Sequence, residues 1–210
     1  MRPHDLHIPR DSPKSILHDG VFVVPRAAEQ FTALEWQHIF GNPKPVCLEY
    51  CSGNGAWIAE RAANTGENWV ALEMKFARVR KIWSKKKNHQ LDNLLIICGE
   101  GKVTTEKCIP EASVDTIFIN FPDPWPKRKH HKYRLIQTAF AIEMARILKS
   151  GGTVTFVSDD TDYREWTKKK MTLFVLEAEE SLPETYGSSY FEEMWREQGK
   201  ESRLLRFRKP

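Results

Sequence analysis

The sequence predicts an α/β fold in which a mostly parallel β-sheet carries helices on both faces. Short apolar runs alternate along the chain with longer amphipathic patterns, which is the order of strands and helices typical of parallel sheets. Acidic residues or glycines follow several of the apolar runs. Ligands of open α/β sheets bind where the chain leaves the carboxyl ends of the strands, so these positions are candidates for a functional site.

The chain divides into an N-terminal arm over residues 1–40 and a folded domain over residues 41–210 in this interpretation. Residues 1–30 are polar and contain prolines, with one short apolar piece at 21–24. Residues 28–40 have the spacing of a short helix, which Gly41 and the prolines after it interrupt. A length of 210 residues suits one domain with a substantial core.

The remaining elements follow in regular alternation. Apolar runs predict strands at residues 46–50, 69–72, 94–98, 114–119, 153–158 and 204–207. Amphipathic patterns predict helices at residues 56–64, 75–89, 135–148 and 163–177. A loop follows residue 98, and the glycine pair at 151 and 152 ends the third of these helices.

Composition excludes several classes of protein. Apolar residues make up 40% and charged residues 29% of the chain, which is typical of a globular protein. No run approaches the roughly 20 apolar residues that cross a bilayer, and the N-terminus lacks the apolar segment of a signal peptide. We therefore expect a cytoplasmic protein without a membrane partner. The four cysteines contain no C-x-x-C pair, so buried thiols are favoured over a zinc site or disulfides.

Positive charge is clustered, although the net charge is only +4. Basic residues concentrate in three segments, at 75–87, 127–134 and 203–209. Clustered cations on an otherwise balanced chain indicate a nucleic-acid partner. For the first segment alone, a solvated helix face is an equally good explanation.

A glycine turn follows the first predicted strand of the domain. Gly53 and Gly55 allow the backbone to approach a ligand, and the helix that follows adds N–H donors. Glu73 ends the next strand, where a carboxylate accepts hydrogen bonds from ribose hydroxyls. Glu100, after the third strand, is within reach of an adenine edge. Together with Glu49 before the turn, these residues predict a site for a nucleotide-type cofactor.

Two cofactors fit such a site, NAD and S-adenosylmethionine. The dinucleotide fingerprint requires a small residue where this chain has Ile58, and Cys51 stands where its first glycine is expected. S-adenosylmethionine carries no phosphate and needs only one close approach of the backbone. The sequence therefore favours S-adenosylmethionine.

A proline-rich loop with a basic run follows the fourth predicted strand and reads Asn-Phe-Pro-Asp-Pro-Trp-Pro-Lys-Arg-Lys-His-His-Lys over residues 120–132. Prolines fix φ, so we expect a stiff loop that presents Asp123. Trp125 offers a flat face for stacking, with packing as its alternative role. The cations suited to phosphates are Lys127, Arg128, Lys129, Lys132 and Arg134. This combination predicts a pocket for a base within a nucleic acid.

The strand-end acids and the Phe-Pro-Asp-Pro-Trp-Pro-Lys-Arg-Lys-His-His-Lys run resemble the bacterial tRNA (guanine-N7)-methyltransferases of the TrmB family over residues 46–208. The resemblance implies a Rossmann-like class I S-adenosylmethionine-dependent methyltransferase fold, with a seven-stranded, mostly parallel sheet. It implies methyl transfer from S-adenosylmethionine to N7 of a guanine in the variable loop of tRNA. It further implies a monomer or homodimer with no obligate protein partner.

The same resemblance assigns cofactor residues one by one. Glu49, Glu73 and Glu100 match the cofactor positions of the family, with Gly53 and Gly55 in the turn. Asp123 matches the active-site acid, which also borders the cofactor. Two departures are visible in this set, because Cys51 replaces a usual glycine and Glu100 stands where aspartate is common.

Substrate residues are implied in the same way. Lys127 and Asp159 match substrate-contacting positions, and Arg128 and His131 of the basic run join them as candidates for tRNA binding. A Thr-x-Phe-Glu stretch at the tRNA site of the family corresponds here to Ser189, Tyr190, Phe191 and Glu192. The arginine-rich N-terminal segment of the family is not evident in residues 1–40. No metal is expected, because the two adjacent histidines lack a third ligand at useful spacing.

Alternative functions remain open at this point. Amino-group methyltransferases that act on another RNA base or on a protein amide have Asn/Asp-Pro-Pro-Tyr/Trp loops similar to the one in this chain, and analysis of the product separates them from the first interpretation. A non-catalytic RNA-binding protein with the same fold is a different class, and cofactor binding tests it.

Overall fold

The computed structural model describes residues 1–9, 12–26, 28–187 and 201–210. The strands in these residues are β1 (Ile16–His18), β2 (Val21–Val23), β3 (Val46–Tyr50), β4 (Asn68–Glu73), β5 (Leu94–Cys98), β6 (Val114–Asn120), β7 (Leu148–Ser158), β8 (Val175–Ser181) and β9 (Arg203–Arg208). They form one sheet in the order β1-β2-β5-β4-β3-β6-β7-β9-β8. Neighbours from β2 to β7 pair in parallel, whereas β1, β8 and β9 pair antiparallel.

Helices cover both faces of this sheet. They are α1 (Trp36–Phe40), α2 (Ala56–Asn64), α3 (Phe76–Asn88), α4 (Gly101–Cys108), α5 (Thr138–Ile147) and α6 (Thr161–Lys170). One core layer lies under α5 and α6, and the other lies under α2 and α3. In the part of the chain that the structure describes, no helix combines the length and apolar character needed to cross a membrane.

Side-chain alternation along the central strands explains the two core layers. In β3, Leu48 and Tyr50 belong to the layer under α5 and α6, whereas Cys47 belongs to the layer under α2 and α3. In β4, Val70 and Trp69 divide between the layers in the same way. Successive side chains of a strand point to opposite faces, so a strand buried on both faces needs apolar residues at nearly every position.

The predicted fold class is confirmed, but the described residues form a sheet of nine strands rather than seven. The additional strands come from the segment predicted as an arm, where β2 pairs in parallel with β5 and β1 pairs with β2. Val21, Phe22, Val23 and Val24 are all buried. This short run is a strand because it covers the edge of β5, and a local pattern of three residues does not reveal such a partner.

The predicted helix over 163–177 is wrong in its C-terminal part, because α6 ends at residue 170 and β8 starts at residue 175. Alanine and glutamate in this stretch favour a helix locally. Pairing with β9 decides otherwise, since Glu177 and Glu180 of β8 form ion pairs with Arg208 and Arg206 of β9.

A further helix, α4, lies where the sequence predicted a loop. The carboxylate of Glu100 accepts a hydrogen bond of 2.8 Å from the backbone N–H of Val103 and caps this helix. Glutamate is not among the residues preferred at this capping position, so the start of the helix was not recognised.

The strand order creates one point where a ligand site is expected. From β3, the chain progresses through β4 and β5 toward one edge of the sheet, and from β6 through β7 toward the other edge. The loops after β3 and β6 therefore diverge and leave a crevice between the carboxyl ends of these two strands.

Helices α2 and α3 approach each other closely at Gly55. This residue has a φ of +71°, and a Cβ added to it would lie 2.7 Å from Cγ1 of Ile82 in α3. Gly55 is therefore required for helix packing in addition to any role toward a ligand.

We expect Gly55→Ala to lower the free energy of unfolding by about 1–3 kcal/mol, because the added methyl group overpacks the contact with Ile82. Gly66→Ala is the matched control, since a Cβ at Gly66 meets nothing within 4 Å. Thermal unfolding of both variants measures the difference. An equal Tm for the two variants would contradict the close packing of α2 and α3.

Candidate active site

A cavity of about 610 Å³ lies at the carboxyl ends of β3 to β7. Each of these strands contributes a residue from its end or from the loop after it. The predicted residues that line the cavity are Glu49, Gly53, Gly55, Glu73, Glu100, Asp123 and Asp159. The structure thus brings together every predicted cofactor residue, including Asp123, and one predicted substrate acid, Asp159. Lys127, Arg128 and His131 are not among the residues that line it.

Glu49 is the buried acid of the cavity. Its Oε1 accepts a hydrogen bond of 2.8 Å from Nδ2 of Asn120, and its Oε2 is buried without a hydrogen-bond partner among the described residues. Burial raises the pKa of this carboxyl to about 7, and the nearby charge of Glu73 adds to the rise, whereas the hydrogen bonds from Asn120 and Ser52 oppose it. Glu49 therefore changes its charge near neutral pH.

Two residues that support Glu49 were not predicted from the sequence. Asn120 ends β6, and its Oδ1 accepts a hydrogen bond of 2.7 Å from the hydroxyl of Tyr186. The ring of Tyr186 stacks on Trp57 of α2 at a centroid distance of 5.4 Å. A polar residue that ends an apolar strand was an available signal for Asn120, whereas Tyr186 is brought to the site only by the fold.

Glu73 holds the glycine turn in place. Its two carboxylate oxygens accept hydrogen bonds from the backbone N–H groups of Gly53 at 3.0 Å and Lys75 at 2.7 Å. Arg78 lies 3.6 Å from the same carboxylate. These donors fix the direction of the Glu73 carboxylate. The hydroxyls of a ribose bound here would hydrogen-bond to the same carboxylate oxygens.

The cavity continues beyond Glu100. A second concavity of about 550 Å³ shares Met74, Gly99 and Glu100 with the first one, and residues 23–26 form part of its wall. The segment after β2 therefore borders the region where the sequence placed the adenine of a cofactor.

Cys51 is exposed and has a φ of +61°, a left-handed conformation that glycine adopts more easily. Desolvation of the thiol within the crevice is the main cause that raises its pKa to about 12. The negative charges of Glu73, Asp123 and Glu49 add to the rise. Cys51 is therefore a neutral thiol near pH 7 and not an activated nucleophile.

The loop that carries Asp123 is strained. Phe121 and Trp125 on either side of Asp123 have φ values of +47° and +46°. Non-glycine residues rarely adopt this conformation, and such strain is concentrated at functional sites. Asp123 itself is exposed and lines the cavity.

An aromatic rim stands beside Asp123. The ring of Trp125 contacts Tyr133 at a centroid distance of 5.3 Å and His130 at 5.8 Å. Trp125 is 37% and Tyr133 is 55% exposed, and both line the cavity. These rings are available for stacking, and Tyr133 is a member of the site that sequence reasoning missed.

Two members of the basic run face away from the cavity. His131 has a side chain that is 16% exposed, and its ring packs against Trp166 of α6 at 5.5 Å. Arg134 has no exposed surface, so the expectation that it contacts phosphates is wrong. His131 and Arg134 pack against α6, which is distant in sequence. They are therefore less exposed than the lysines of the same run.

Charge pairing differs among the cations of the three basic segments. Lys127, Arg128 and Lys129 are exposed and have no ion-pair partner within the described residues. In the first segment, Arg80 donates to the carbonyl of Leu6, and other cations bind backbone or acidic groups. In the third segment, Arg206 and Arg208 form ion pairs with glutamates of β8. Unpaired positive charge thus lies beside the aromatic rim.

The described residues leave one predicted group untested and contain no metal site. Ser189, Tyr190, Phe191 and Glu192 lie outside the described residues. Among the residues that the structure describes, no group of three His, Cys, Asp or Glu side chains is arranged to hold a metal ion.

The cavity fits S-adenosylmethionine. The unpartnered Oε2 of buried Glu49 suits a positively charged donor, and Glu73 and Glu100 follow at the ends of the next two strands. The strand order and these acids define a class I S-adenosylmethionine-dependent methyltransferase.

A family model described as "Putative methyltransferase" matches residues 43–204. A tRNA (guanine-N(7)-)-methyltransferase of Chlamydia muridarum is 42% identical over 95% of this chain and 94% of its own length. The chain belongs to the tRNA (guanine-N(7)-)-methyltransferase family.

Further comparisons agree with this assignment. Another relative with the same name, from Thermotoga maritima, is 31% identical over 84% of this chain and 58% of its own length. Among solved structures, the 16S rRNA methyltransferase KamB superposes with a TM-score of 0.65 at 16% identity, and covers 90% of this chain and 99% of its own. This structural likeness supports the fold.

We expect the affinity for S-adenosylmethionine to rise by about tenfold between pH 6 and pH 8, because the raised pKa keeps Glu49 protonated below about pH 7 and only its ionised form attracts a cation. The affinity increases with pH because deprotonation gives Glu49 its negative charge as the pH rises. Isothermal titration calorimetry at the two pH values measures the change.

Glu49→Gln is the informative variant for this prediction, since it removes the titration and keeps the shape of the side chain. Its affinity is expected to be weak and independent of pH. Glu106→Gln, at an exposed position of α4, serves as the control. A pH dependence that persists in Glu49→Gln would assign the titration to another group.

Proposed function

We propose that the protein transfers the methyl group of S-adenosylmethionine to N7 of a guanine in the variable loop of tRNA, forming 7-methylguanosine. The observation that carries this proposal is that Asp123 lines the cofactor cavity together with the exposed rings of Trp125 and Tyr133. Family membership supports the same reaction.

The chemistry of N7 means that the proposed reaction needs no general base. Guanine N7 has an in-plane lone pair and no proton, so its methylation requires no proton abstraction. S-adenosylmethionine supplies an electrophilic methyl group when it is bound. The guanine ring gains positive charge during transfer, and the site must stabilise that charge.

Asp123 is suited to this task. We assign it to accept hydrogen bonds from N1–H and the exocyclic amine of guanine, which places a carboxylate beside the growing charge. Asp159, which lines the same cavity, shares in recognition of the base. Electrostatic preorganisation of this kind contributes a few kcal/mol, and the positioning of the base contributes the remainder.

The aromatic rim and the basic run bind the tRNA in this proposal. A guanine turned out of its stack is bound by stacking on Trp125 and Tyr133, as in other recognition of unstacked RNA bases. Lys127, Arg128 and Lys129 contact phosphates of the same tRNA. His131 and residues 189–192 remain candidates for the substrate site on the basis of the family resemblance.

The remaining properties belong to the same proposal. On the basis of the family resemblance, we expect action without an obligate protein partner, as a monomer or homodimer. The expected location is the cytoplasm, where tRNA is processed.

A methyl-transfer assay tests the function directly. Purified protein is incubated with labelled S-adenosylmethionine and unmodified tRNA, and the nucleosides are then separated. The expected product is 7-methylguanosine. A different methylated nucleoside, or labelling of protein amides instead of tRNA, would retain the enzyme class and overturn the proposed substrate.

We expect Asp123→Asn to lower kcat by about 100-fold, because the amide keeps the size of the side chain and removes the charge that stabilises the cationic guanine. Steady-state kinetics with saturating tRNA measure the loss. Asp92→Asn is the matched control, since Asp92 is exposed near the amino end of β5, away from the cavity. Nearly full kcat in Asp123→Asn would rule out this role for the charge.

Replacing Lys127, Arg128 and Lys129 with glutamine is expected to weaken tRNA binding and to reduce the slope of log Kd against log salt by about 2, as lost phosphate contacts release fewer counterions. Binding measured over a series of salt concentrations gives the slope. Arg206→Gln is the control, because Arg206 is ion-paired with Glu180. An unchanged slope in the triple variant would mean that tRNA phosphates bind elsewhere.

A further inference from the structure

Arg134 is a buried cation without a place in the proposed reaction. Its side chain has no exposed surface. Burial of an arginine costs several kcal/mol unless its charge and its donors are satisfied. The partners of this guanidinium therefore indicate what its burial achieves.

Those partners belong to two separate parts of the site. Nε donates a hydrogen bond of 2.7 Å to the carbonyl of Pro124, in the loop of Asp123. Nη2 donates one of 2.6 Å to the carboxylate of Asp162 in α6, and lowers the pKa of that carboxyl. The guanidinium also lies 4.8 Å from the ring centroid of Tyr163 and 5.3 Å from that of Trp166, both in α6. Arg134 thus joins the loop to the helix.

The loop depends on such an external contact. Its left-handed residues, Phe121 and Trp125, are strained, and its prolines have no N–H groups with which to form backbone hydrogen bonds. Where the loop begins, the N–H of Phe121 donates to the carbonyl of Val157 in β7 at 2.9 Å. Past Asp123, the hydrogen bond from Arg134 holds the carbonyl of the next residue, Pro124.

Asp159, the second acid assigned to guanine, lies just before α6, the helix that Arg134 contacts. Asp160 caps α6 by accepting a hydrogen bond of 2.7 Å from the N–H of Tyr163, and Asp159 immediately precedes this cap. A group that binds both the Asp123 loop and the first turn of α6 therefore fixes the two acids relative to each other.

We propose that Arg134 is a positioning residue that sets the distance and orientation between Asp123 and Asp159 through its contacts with Pro124 and α6. The inference rests on the proposed function, because these acids are the ones assigned to guanine. Arginine is required, since its planar fork directs donors to two partners while its faces stack on aromatic rings. A lysine ammonium keeps the charge but lacks that geometry.

The test is Arg134→Lys in the full chain, with kcat, KM for tRNA, Kd for S-adenosylmethionine and Tm measured together. We expect kcat to fall by about 10- to 100-fold, as a misplaced reacting group does, while KM for tRNA changes little because Lys127, Arg128 and Lys129 are intact. The Kd for S-adenosylmethionine is expected to stay near its original value, since no contact of Glu49 or Glu73 is altered.

Arg146→Lys is the matched control. Arg146 pairs with Glu143 and donates to the backbone carbonyls of Thr105 and Ile109, so, like Arg134, it binds both a carboxylate and backbone carbonyl groups, but none of these partners lies in the Asp123 loop or in α6. Its replacement is expected to lower Tm and to leave kcat unchanged. If Arg146→Lys lowered kcat as much as Arg134→Lys, the positioning role would be overturned.

A second variant keeps the proposal testable if Arg134→Lys does not fold. Asp162→Ala removes one partner of Arg134 from an exposed position. A decrease in kcat of about threefold or more with little change in KM is expected, because the guanidinium loses one of its two fixed contacts. Unchanged kcat in Asp162→Ala would overturn the proposal.

Two other outcomes are decisive. An increase in KM for tRNA with unchanged kcat in Arg134→Lys would make Arg134 a tRNA contact and would overturn its positioning role. A wild-type protein that forms no 7-methylguanosine would defeat the proposed function itself, whereas an active wild type with an equally active Arg134→Lys variant would defeat only this inference.

Discussion

Parallel pairing of β3 with β4 on one side and β6 on the other is the constraint on which the site depends. Tyr50 of β3 is in register with Leu72 and Ile119 of its neighbours, so Glu49, Glu73 and Asn120 reach the same edge of the sheet. The sheet is buried on both faces, and this burial makes the carboxyl of Glu49 hold its proton up to about pH 7. Within the described residues its Oε2 has no hydrogen-bond partner, and burial of such a group is unfavourable until a ligand binds it.

The active-site loop is held from outside because it cannot hold itself. Its prolines remove the backbone donors that stabilise ordinary turns, and its strained residues persist only where the surrounding structure imposes them. Contacts from β7 and from Arg134 supply that support. The same loop leaves Asp123 and the ring of Trp125 accessible, so rigidity and exposure coexist at the place where a base is expected to bind.

Much of the fold and of the cofactor site followed from local patterns. Buried parallel strands need continuous apolar runs, and these were visible for the central strands of the sheet. Because parallel strands end at one edge, the acids Glu49, Glu73 and Glu100 could be grouped before their contacts were known. Apart from the missed helix α4, the errors lie at the edges of the sheet, in β1, β2 and β8, where a segment is a strand only because it pairs with a neighbouring strand.

The sequence by itself determined the alternation of strands and helices, the acids at the strand ends and the stiff loop around Asp123, since each depends on residue type and short-range spacing. Tertiary structure alone decided which cations of the basic run are exposed. Lys127 and Arg134 belong to the same basic run, yet the first is exposed and the second is enclosed by Tyr163 and Trp166. The physical reason is that burial of a side chain is set by elements distant along the chain, which local spacing does not encode.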